Sequence, residues 1–315
     1  MAFKNVVILG STGSIGVNAL KVIEGYPHIF RVVGLSAYNS IKLLEKQIKK
    51  FEPKYAAAGE QGIKQLAKSC AGTKTKFLNV DTDLEDLVAR KDVDIVVIGM
   101  RGSAALGPFL SAVRAGKRVA PANKEALVIA GELLMEEARK HKATIILVDS
   151  EQSAIFQCLD GQKRDSLKKV YLTASGGALR NVPKDHFDRL SVKEILNHPR
   201  WKMGDKITVD SATLMNKGFE VIEALRLFNL SIEQIEVVVH PEAIIHSMVE
   251  YCDGSILAQL GTPDMRLPIQ YALTYPDRWS TNVEGLDFFQ LKQLNFEKPD
   301  LKKFPSLSLA YHVAK

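Results

Sequence analysis

The sequence is poor in cysteine, and it lacks any long apolar run. Its 315 residues include three cysteines, Cys70, Cys158 and Cys252, which are dispersed and odd in number. This usage argues against a disulfide framework and indicates a reducing compartment. The N-terminus enters directly into a strand-like segment, with neither a signal-peptide pattern nor a stretch that could span a bilayer. We therefore expect a cytoplasmic protein with no membrane partner.

The sequence has no segment in which positive or negative charges are concentrated. The net charge is +6, but lysine and arginine are spread evenly, and no basic run interleaves with aromatic residues. No nucleic-acid partner is expected, whereas the positive balance suits small anionic ligands. With 46% hydrophobic and 25% charged residues, the chain can bury a substantial core. Its length suggests two domains.

The first half alternates strand and helix patterns. Short apolar runs predict strands at 5–9, 31–37, 54–59, 75–80, 94–99, 118–122 and 144–148. Amphipathic helices are predicted between them, for example at 41–51, 84–91 and 125–142. This alternation is typical of an α/β fold with a doubly wound, Rossmann-type parallel sheet. We assign it to a first domain, residues 1–149.

The second half is less regular. Strands are predicted at 168–175, 236–241, 247–252 and 255–261, and a long helix at about 212–228. The mixture predicts a second α/β domain, residues 150–280, with a partly antiparallel, mixed sheet. From 281 to 315 the chain becomes charged and loop-like, as in a linker, and a helix begins at about Pro305.

A glycine loop joins the first strand to the first helix. Gly10, Gly13 and Gly16 follow the spacing G-x-x-G-x-x-G. Glycines allow a tight turn and let the backbone approach a pyrophosphate at the helix N-terminus. The βαβ context favours a dinucleotide site, and the alternative is a tight turn without a ligand.

The end of the second strand lacks a carboxylate. NAD enzymes usually place Asp or Glu there to bind the ribose 2′-hydroxyl. Here Tyr38, Asn39 and Ser40 follow the strand, with Lys42 just beyond. Nothing at this position would repel a 2′-phosphate, so NADP is favoured over NAD.

Three carboxylates occur in settings that suggest one metal site. Asp149 and Glu151 flank a serine after the strand at 144–148, and Glu220 ends the stretch 210–220. If the strand continues through 149–151, residues i and i+2 point to the same side. If the second stretch is helical, Asn216, Lys217 and Glu220 share a face. Hard oxygen ligands favour Mg²⁺ or Mn²⁺. The alternatives are a helix N-cap at 149–151 and a solvated helix face.

Other segments offer weaker signals. Lys124 follows a short strand at the ligand-binding edge of the sheet, but it also suits an ordinary helix start. The turn at 174–179 resembles a phosphate nest or a plain turn. The loop at 198–206 would form a lid beside a cleft, or pack on the surface. His240 and His246 flank an apolar segment and are interpreted as structural.

Taken together, these motifs resemble the 1-deoxy-D-xylulose 5-phosphate reductoisomerase family. The resemblance rests on GSTGSIG, the NKE turn, DSEQSAIFQCL, TASGGALR, the block 198–223, HPEAIIHSMVEYCDGS and AQLGTPDMRLPIQYALTYP. It implies NADPH-dependent isomerisation and reduction of 1-deoxy-D-xylulose 5-phosphate to 2-C-methyl-D-erythritol 4-phosphate. It also implies a divalent metal (Mn²⁺, Mg²⁺ or Co²⁺) and a homodimer. The family continues into a C-terminal helical domain, and that domain is expected to be absent here, with turnover weak or lost.

The resemblance also implies roles for individual residues. Metal ligands fall on Asp149, Glu151 and Glu220. Substrate contacts fall on Lys124, Ser150, Glu151, Ser175, His198, Ser211, Asn216, Lys217 and Glu220. Cofactor contacts fall on Thr12, Gly13, Ser14, Ile15, Asn39, Ser40, Asn123, Glu125 and Gly204. Glu151, Lys217 and His198 are the catalytic candidates, with Glu151 moving hydroxyl protons beside a metal that acts as Lewis acid.

Two alternatives remain open. An NADP-dependent semialdehyde dehydrogenase would need a nucleophilic cysteine, and Cys158 is the plausible choice. That residue lies in an apolar helical run, AIFQCL, which indicates a core position. A truncated homologue that binds NADPH without turnover is the second alternative.

Overall fold

The structure, a computed structural model, describes residues 3–201 and 203–315. Its strands are β1 (Lys4–Leu9), β2 (Phe30–Ser36), β3 (Tyr55–Ala58), β4 (Lys76–Asn79), β5 (Ile95–Ile98), β6 (Arg118–Pro121), β7 (Thr144–Ile145), β8 (Leu167–Ala174), β9 (Ile235–Val239), β10 (Ile245–Tyr251) and β11 (Ile256–Leu260). Its helices are α1 (Ser14–Glu24), α2 (Ile41–Phe51), α3 (Glu60–Ser69), α4 (Leu84–Ala89), α5 (Leu106–Arg114), α6 (Lys124–His141), α7 (Ser150–Leu159), α8 (Val192–Ile195), α9 (Asp205–Ala212), α10 (Met215–Phe228), α11 (Arg266–Thr274), α12 (Phe288–Leu291) and α13 (Pro305–Val313).

The chain divides into two compact units. The first comprises Met1–Asp149 and Met265–Ser280, and the second comprises Ser150–Asp264 and Thr281–Lys315. The sequence predicted the break after residue 149 but assigned 265–280 to the second domain.

The first unit contains a seven-stranded sheet in the order β4-β3-β2-β1-β5-β6-β7, in which every neighbouring pair is parallel. The chain winds outward from β1 in both directions, which is the doubly wound topology predicted from the sequence. In β1, Val6 to Leu9 are fully buried, as are Val96 to Ile98 in β5. Strands that are buried on both faces consist of continuous apolar residues, so such strands are readily predicted from the sequence.

The segment 265–280 joins the first unit through side-chain packing. Helix α11 packs against α1 and contacts β6. The Trp279 ring lies 5.2 Å from Tyr26 and 5.9 Å from Phe30, measured between centroids. Arg118 donates to the carbonyl of Leu273 at 3.0 Å. These contacts bridge more than 150 residues of chain, so no local pattern predicts them.

The second unit contains a four-stranded sheet in the order β11-β10-β8-β9. Strands β8 and β9 are parallel, whereas β10 is antiparallel to both β8 and β11. The predicted mixed sheet is confirmed. Helix α7 packs against β10 and β11, and α10 packs against α13.

One local prediction was wrong, and one helix was not predicted. The strand predicted at 144–148 ends at Ile145, and 150–159 form α7, so Asp149 and Glu151 are not related by strand alternation. The helix predicted at about 212–228 is α10, whereas α9, which is separated from α10 at Leu214 (φ 58°), was not predicted. A buried leucine is an unusual residue for this left-handed conformation, and the apolar pattern therefore conceals the break.

The last segment, 281–315, is held within the second unit. Val239 and Glu297 form a β-bridge, and Arg180 pairs with Glu297 at 2.6 Å. Leu307 and Ala310 of α13 are buried, which confirms the helix predicted to begin near Pro305. Among the described helices, none is both long and apolar enough to cross a membrane.

Candidate active site

The three predicted carboxylates converge. Asp149, Glu151 and Glu220 each offer an oxygen atom, and these atoms lie within 4.8 Å of one another. Asp149 directly precedes the first residue of α7, so the local backbone sets its position relative to Glu151 in the first helical turn. Glu220 lies on α10. The predicted convergence is present, although a helix start rather than a strand produces it.

The buried side-chain amide of Gln152 connects α7 and α10, the helices that carry Glu151 and Glu220. Gln152, on α7, is fully buried and donates from Nε2 to the backbone carbonyl of Glu220 at 2.8 Å. Its role was not predicted, because a glutamine in an amphipathic helix gives no sequence signal of a long-range contact.

Lys217 compensates the negative charge. Its Nζ donates to Glu151 Oε1 at 2.8 Å and also contacts Glu220 Oε2, and the residue is only 2% exposed. Burial by itself would lower the pKa of Lys217, but the two carboxylates outweigh it and raise that pKa. The ammonium therefore stays charged.

Further polar side chains surround the carboxylates. Lys124 forms an ion pair with Asp149, and Ser150 donates to Glu151. Asn216 donates from Nδ2 to Glu220 Oε1 at 2.5 Å. Its buried Oδ1 has no hydrogen-bond partner among the described residues. A buried unpaired acceptor is costly, and it marks a place for an external donor group.

A second polar group forms where the turn after β8 meets α9. His198 Nε2 lies 3.0 Å from Ser175 Oγ, which also accepts from the amide of Gly177 at 3.3 Å. Gly177 has φ +70°, and a Cβ built there would lie 2.4 Å from the carbonyl oxygen of Ser211. Only glycine allows this approach. The same turn therefore contacts His198 through Ser175 and the backbone of Ser211 through Gly177, and the shared phosphate role implied for Ser175, His198 and Ser211 stays a prediction.

In the first unit, the glycine loop lies at the switch point of the sheet. The amide of Gly99 donates to the carbonyl of Leu9 at 2.8 Å, so the ends of β1 and β5 are adjacent. Gly10 has φ +76°, and a Cβ there would lie 2.9 Å from Gly99 backbone atoms. Gly13 is exposed and is the N-cap of α1 without a side-chain cap. This exposed backbone, with half-buried Thr12 and Ile15 and exposed Ser14, is open to a phosphate group.

The glycine loop is fixed by residues that the sequence did not single out. Ser11 Oγ donates to Gln47 Oε1 at 2.7 Å, and Gln47 Nε2 donates to the Ser11 carbonyl at 2.9 Å. Ser36 accepts from the amide of Gly10 at 3.0 Å through its hydroxyl. Gln47 lies 36 residues after Ser11, and only the packing of α2 reveals the pair.

The remaining predicted cofactor residues have varied environments. Tyr38, Asn39 and Ser40 are exposed at the end of β2, and no carboxylate lies among residues 37–43. Asn123 caps α6 by accepting from Ala126, and its amide donates to backbone carbonyls after β5. Its side chain therefore shapes the loop. Glu125 is half-buried, whereas Gly204 is exposed and belongs to the second unit as the N-cap of α9.

The two histidines interpreted as structural are both buried. His240 stacks on Phe296 with ring centroids 5.1 Å apart, and its Nδ1 lies 2.9 Å from the carbonyl of Asn295. His246 lies on β10, and burial lowers its pKa. Its ring is 6.3 Å from that of Trp201.

Sequence models of one protein family match three segments of the chain. Residues 6–131 match the sequence model of 1-deoxy-D-xylulose 5-phosphate reductoisomerase, and residues 145–228 match that of its C-terminal domain. Residues 260–315 match a further model described as the DXP reductoisomerase C-terminal domain.

Individual relatives cover nearly the whole chain. The 1-deoxy-D-xylulose 5-phosphate reductoisomerase of Thermoanaerobacter pseudethanolicus is 50% identical over 99% of this chain and 82% of its own length. A crystal structure of DOX-P reductoisomerase with NADPH, fosmidomycin and magnesium is 44% identical, with a TM-score of 0.96 over 99% of this chain and 79% of its own. The Zymomonas mobilis enzyme in complex with NADPH is 40% identical, with a TM-score of 0.92 over 99% and 81%. The chain therefore belongs to the 1-deoxy-D-xylulose 5-phosphate reductoisomerase family.

Proposed function

We propose that this chain catalyses the NADPH- and divalent-metal-dependent conversion of 1-deoxy-D-xylulose 5-phosphate to 2-C-methyl-D-erythritol 4-phosphate, a step of non-mevalonate isoprenoid biosynthesis. The observation that carries the proposal is the convergence of Asp149, Glu151 and Glu220, with Lys217 buried between two of them. Family membership supplies the identity of the reaction, and this cluster supplies a place for it.

The donor set fits a hard divalent cation. Three carboxylates within 4.8 Å repel one another, by roughly 4 kcal/mol per pair at 4 Å and an effective dielectric near 20. A divalent cation relieves this repulsion, and all-oxygen ligands suit Mg²⁺ or Mn²⁺. We assign Asp149, Glu151 and Glu220 as the metal ligands. When bound, the metal acts as a Lewis acid and a template for the substrate oxygens.

The side chains around the carboxylates bind and orient the substrate. Lys124 and Lys217 supply positive charge toward developing oxyanions, and Ser150 offers a hydroxyl. Asn216 Oδ1, which has no partner among the described residues, accepts from a substrate hydroxyl. Glu151 is assigned the transfer of the hydroxyl proton, because its carboxylate belongs to the cluster that would hold the substrate oxygens.

The phosphate end of the substrate is assigned to Ser175, His198 and Ser211, with Asn216 and Lys217 on the adjoining helix. The turn at Gly176–Gly177 has two residues with positive φ, and the Gly177 amide points to Ser175 Oγ. Backbone of this kind forms concave anion-binding surfaces. Burial lowers the pKa of His198, which favours the neutral imidazole and a role in the phosphate site through hydrogen bonds.

The first unit is assigned the NADPH site, and the second unit the catalytic residues. The glycine loop presents Thr12, Gly13, Ser14 and Ile15 at the start of α1, where backbone amides bind a pyrophosphate. Asn39 and Ser40 lie at the end of β2, where no carboxylate repels the 2′-phosphate. Asn123 and Glu125 are assigned the further cofactor contacts within this unit. NADPH supplies the hydride when bound.

The semialdehyde dehydrogenase alternative is disfavoured by Cys158. The residue is buried on α7, and burial raises the pKa of its thiol to about 11. A nucleophilic cysteine needs the opposite shift. We therefore expect iodoacetamide to modify the exposed Cys252 at pH 8 without loss of activity, with Cys158 protected.

We also propose a homodimer in the cytoplasm. Strand β11 is an edge strand of the second sheet, and its residues Ile256, Leu257 and Ala258 are exposed. An exposed apolar edge strand is a template for pairing with another chain. Two β11 strands paired about a two-fold axis would satisfy both edges. The three cysteines are unpaired, as in proteins of a reducing compartment.

The test of the proposed function is NADPH oxidation by the purified chain with 1-deoxy-D-xylulose 5-phosphate and Mn²⁺. Activity should disappear with EDTA and return with Mn²⁺ or Mg²⁺. NADPH should exceed NADH at least tenfold in kcat/KM, about 1.4 kcal/mol. Absence of turnover by a chain that still binds NADPH would favour the non-catalytic alternative.

A further inference from the structure

Two backbone amides of the loop between α8 and α9 donate to one histidine ring. The amide of Arg200 lies 3.2 Å from His198 Nδ1, and the amide of Trp201 lies 2.9 Å from the same atom. A backbone N–H can only donate, so Nδ1 is an acceptor and carries no proton. In a neutral imidazole the proton is then on Nε2.

The opposite ring nitrogen faces the proposed phosphate site. His198 Nε2 lies 3.0 Å from Ser175 Oγ, and the tautomer fixed at Nδ1 makes Nε2–H the donor in this contact. Ser175 Oγ also accepts from the Gly177 amide. With its two acceptor positions used, the Ser175 hydroxyl directs its own proton away, toward a ligand.

Among the contacts of the described residues, few besides those of His198 support the loop. Helix α8 ends at Ile195, α9 begins at Asp205, and the described residues between them form no helix or strand. Arg200 Nε donates to the carbonyl of Pro241 at 3.0 Å, and the Trp201 ring packs near His246. The two bonds to Nδ1 are the contacts that fix the backbone at Arg200 and Trp201.

We infer that His198 is a positioning residue of the phosphate site: its Nε2–H donates to Ser175, whose hydroxyl donates to the phosphate, while its Nδ1 accepts from the amides of Arg200 and Trp201 and sets their backbone. The inference rests on the proposed function, since it concerns the same phosphate site. It makes the loop conformation and the phosphate contact depend on one ring. Substrate phosphate bound by the Ser175 hydroxyl would hold Ser175 against Nε2–H and so fix the ring, and the ring fixes the loop through Nδ1.

Two substitutions separate the two roles. In His198→Asn, the side-chain amide oxygen takes the place of Nδ1 and is too short to reach Ser175. In His198→Gln, the amide nitrogen takes the place of Nε2, and the acceptor for the loop amides is lost. His186→Asn and His186→Gln are matched controls, because His186 is exposed in a short 3₁₀ helix of the same unit.

The loop is followed by the fluorescence of Trp201 in a Trp279→Phe background, which removes the other tryptophan of the sequence. We expect His198→Asn to keep acrylamide quenching at the parent level and to raise KM for 1-deoxy-D-xylulose 5-phosphate at least tenfold, with kcat within threefold. We expect His198→Gln to at least double the quenching constant and to lower kcat at least tenfold, with KM within threefold.

Nitrogen-15 NMR of the imidazoles provides a readout independent of turnover. The parent protein should show a signal from a neutral Nε2–H ring that disappears in both His198 variants and persists in both His186 variants. An Nδ1–H tautomer, or equal quenching in His198→Asn and His198→Gln, would overturn the inference. If the parent chain shows no turnover, the proposed function fails, and the quenching order and tautomer still decide this inference.

Discussion

At the proposed metal ligand Glu220, substitution by glutamine replaces one carboxylate oxygen with an amide nitrogen and gives a neutral side chain of the same shape. Glu220→Gln keeps the side-chain shape but removes the negative charge, and it leaves Lys217 with one carboxylate partner. We expect Mn²⁺ affinity to fall at least tenfold, about 1.4 kcal/mol, because a hard cation loses a charged ligand. NADPH affinity should stay within twofold, since the glycine loop belongs to the other unit.

Isothermal titration with Mn²⁺ and with NADPH measures both affinities. The matched control is Glu236→Gln, because Glu236 is exposed and pairs only with the surface residue Lys169 in the described contacts. Unchanged Mn²⁺ binding in Glu220→Gln would remove this carboxylate from the proposed ligand set.

Gln47 provides a second test at the scale of single residues. Gln47→Leu removes the nearer acceptor of Ser11 Oγ, which keeps the Ser36 carbonyl at 3.2 Å, and it removes the donor to the buried Ser11 carbonyl. Leaving buried polar groups unpaired costs about 1–3 kcal/mol. We expect NADPH affinity to fall roughly tenfold while Mn²⁺ affinity is unchanged, because the loss is confined to the glycine loop.

Quenching of protein fluorescence by NADPH measures the effect of Gln47→Leu. The control is Gln65→Leu, an exposed position on the neighbouring helix α3. The same loss of NADPH affinity in both variants would show that Gln47 has no special role in the loop.

The strength of each sequence prediction follows from how the residues are buried. The glycine loop and β1 were predictable, since the strand is covered on both faces and its loop needs glycine at Gly10, where φ is +76°. Gln47 and Gln152 were not predictable. Their partners lie 36 and 68 residues away, and a single glutamine on an amphipathic helix looks like a solvent-facing residue.

At the scale of elements, the start of α7 shows how a correct site can come from a wrong local structure. Strand alternation would direct Asp149 and Glu151 to one side, and a different geometry, with Asp149 just before α7 and Glu151 in its first turn, also brings oxygens of the two within 4.8 Å. The sequence could not distinguish them because the apolar run 144–148 precedes the segment in either case. The break at Leu214 was hidden for a similar reason, since an apolar residue in the left-handed conformation carries no turn signal.

Packing between α10 and α13 depends on one glycine. A Cβ at Gly218 would lie 2.8 Å from the Cβ of Ala310. We expect Gly218→Val to destabilise the protein by about 1–3 kcal/mol through overpacking, which exceeds the gain in helix propensity. Differential scanning calorimetry should show a lower Tm.

The double variant Gly218→Val/Ala310→Gly tests the cause of that loss. Removing the Ala310 Cβ should recover part of the Tm, even though Ala310→Gly by itself lowers helix propensity. Because the two residues are in contact, their effects should not add. Strict additivity would mean that Gly218 acts through something other than its contact with α13.

At the scale of the whole molecule, the edge of the second sheet determines the assembly we propose. Strand β10 is paired on both sides, whereas β11 is paired only with β10 among the described strands. Ile256 is 51% exposed and Leu257 is 42% exposed. A lysine at an edge strand opposes pairing with another strand, and across a two-fold axis it would meet its own copy.

We therefore expect Leu257→Lys to convert a dimer into a monomer of 34.8 kDa, as measured by light scattering after size-exclusion chromatography. The control is Val192→Lys, because Val192 is an exposed apolar residue on α8, away from the sheet edge. Mn²⁺ affinity should be retained in the monomer, since the carboxylate cluster lies within one chain. If Leu257→Lys and the parent chain have the same mass, β11 does not form the interface, and another surface must join the two copies.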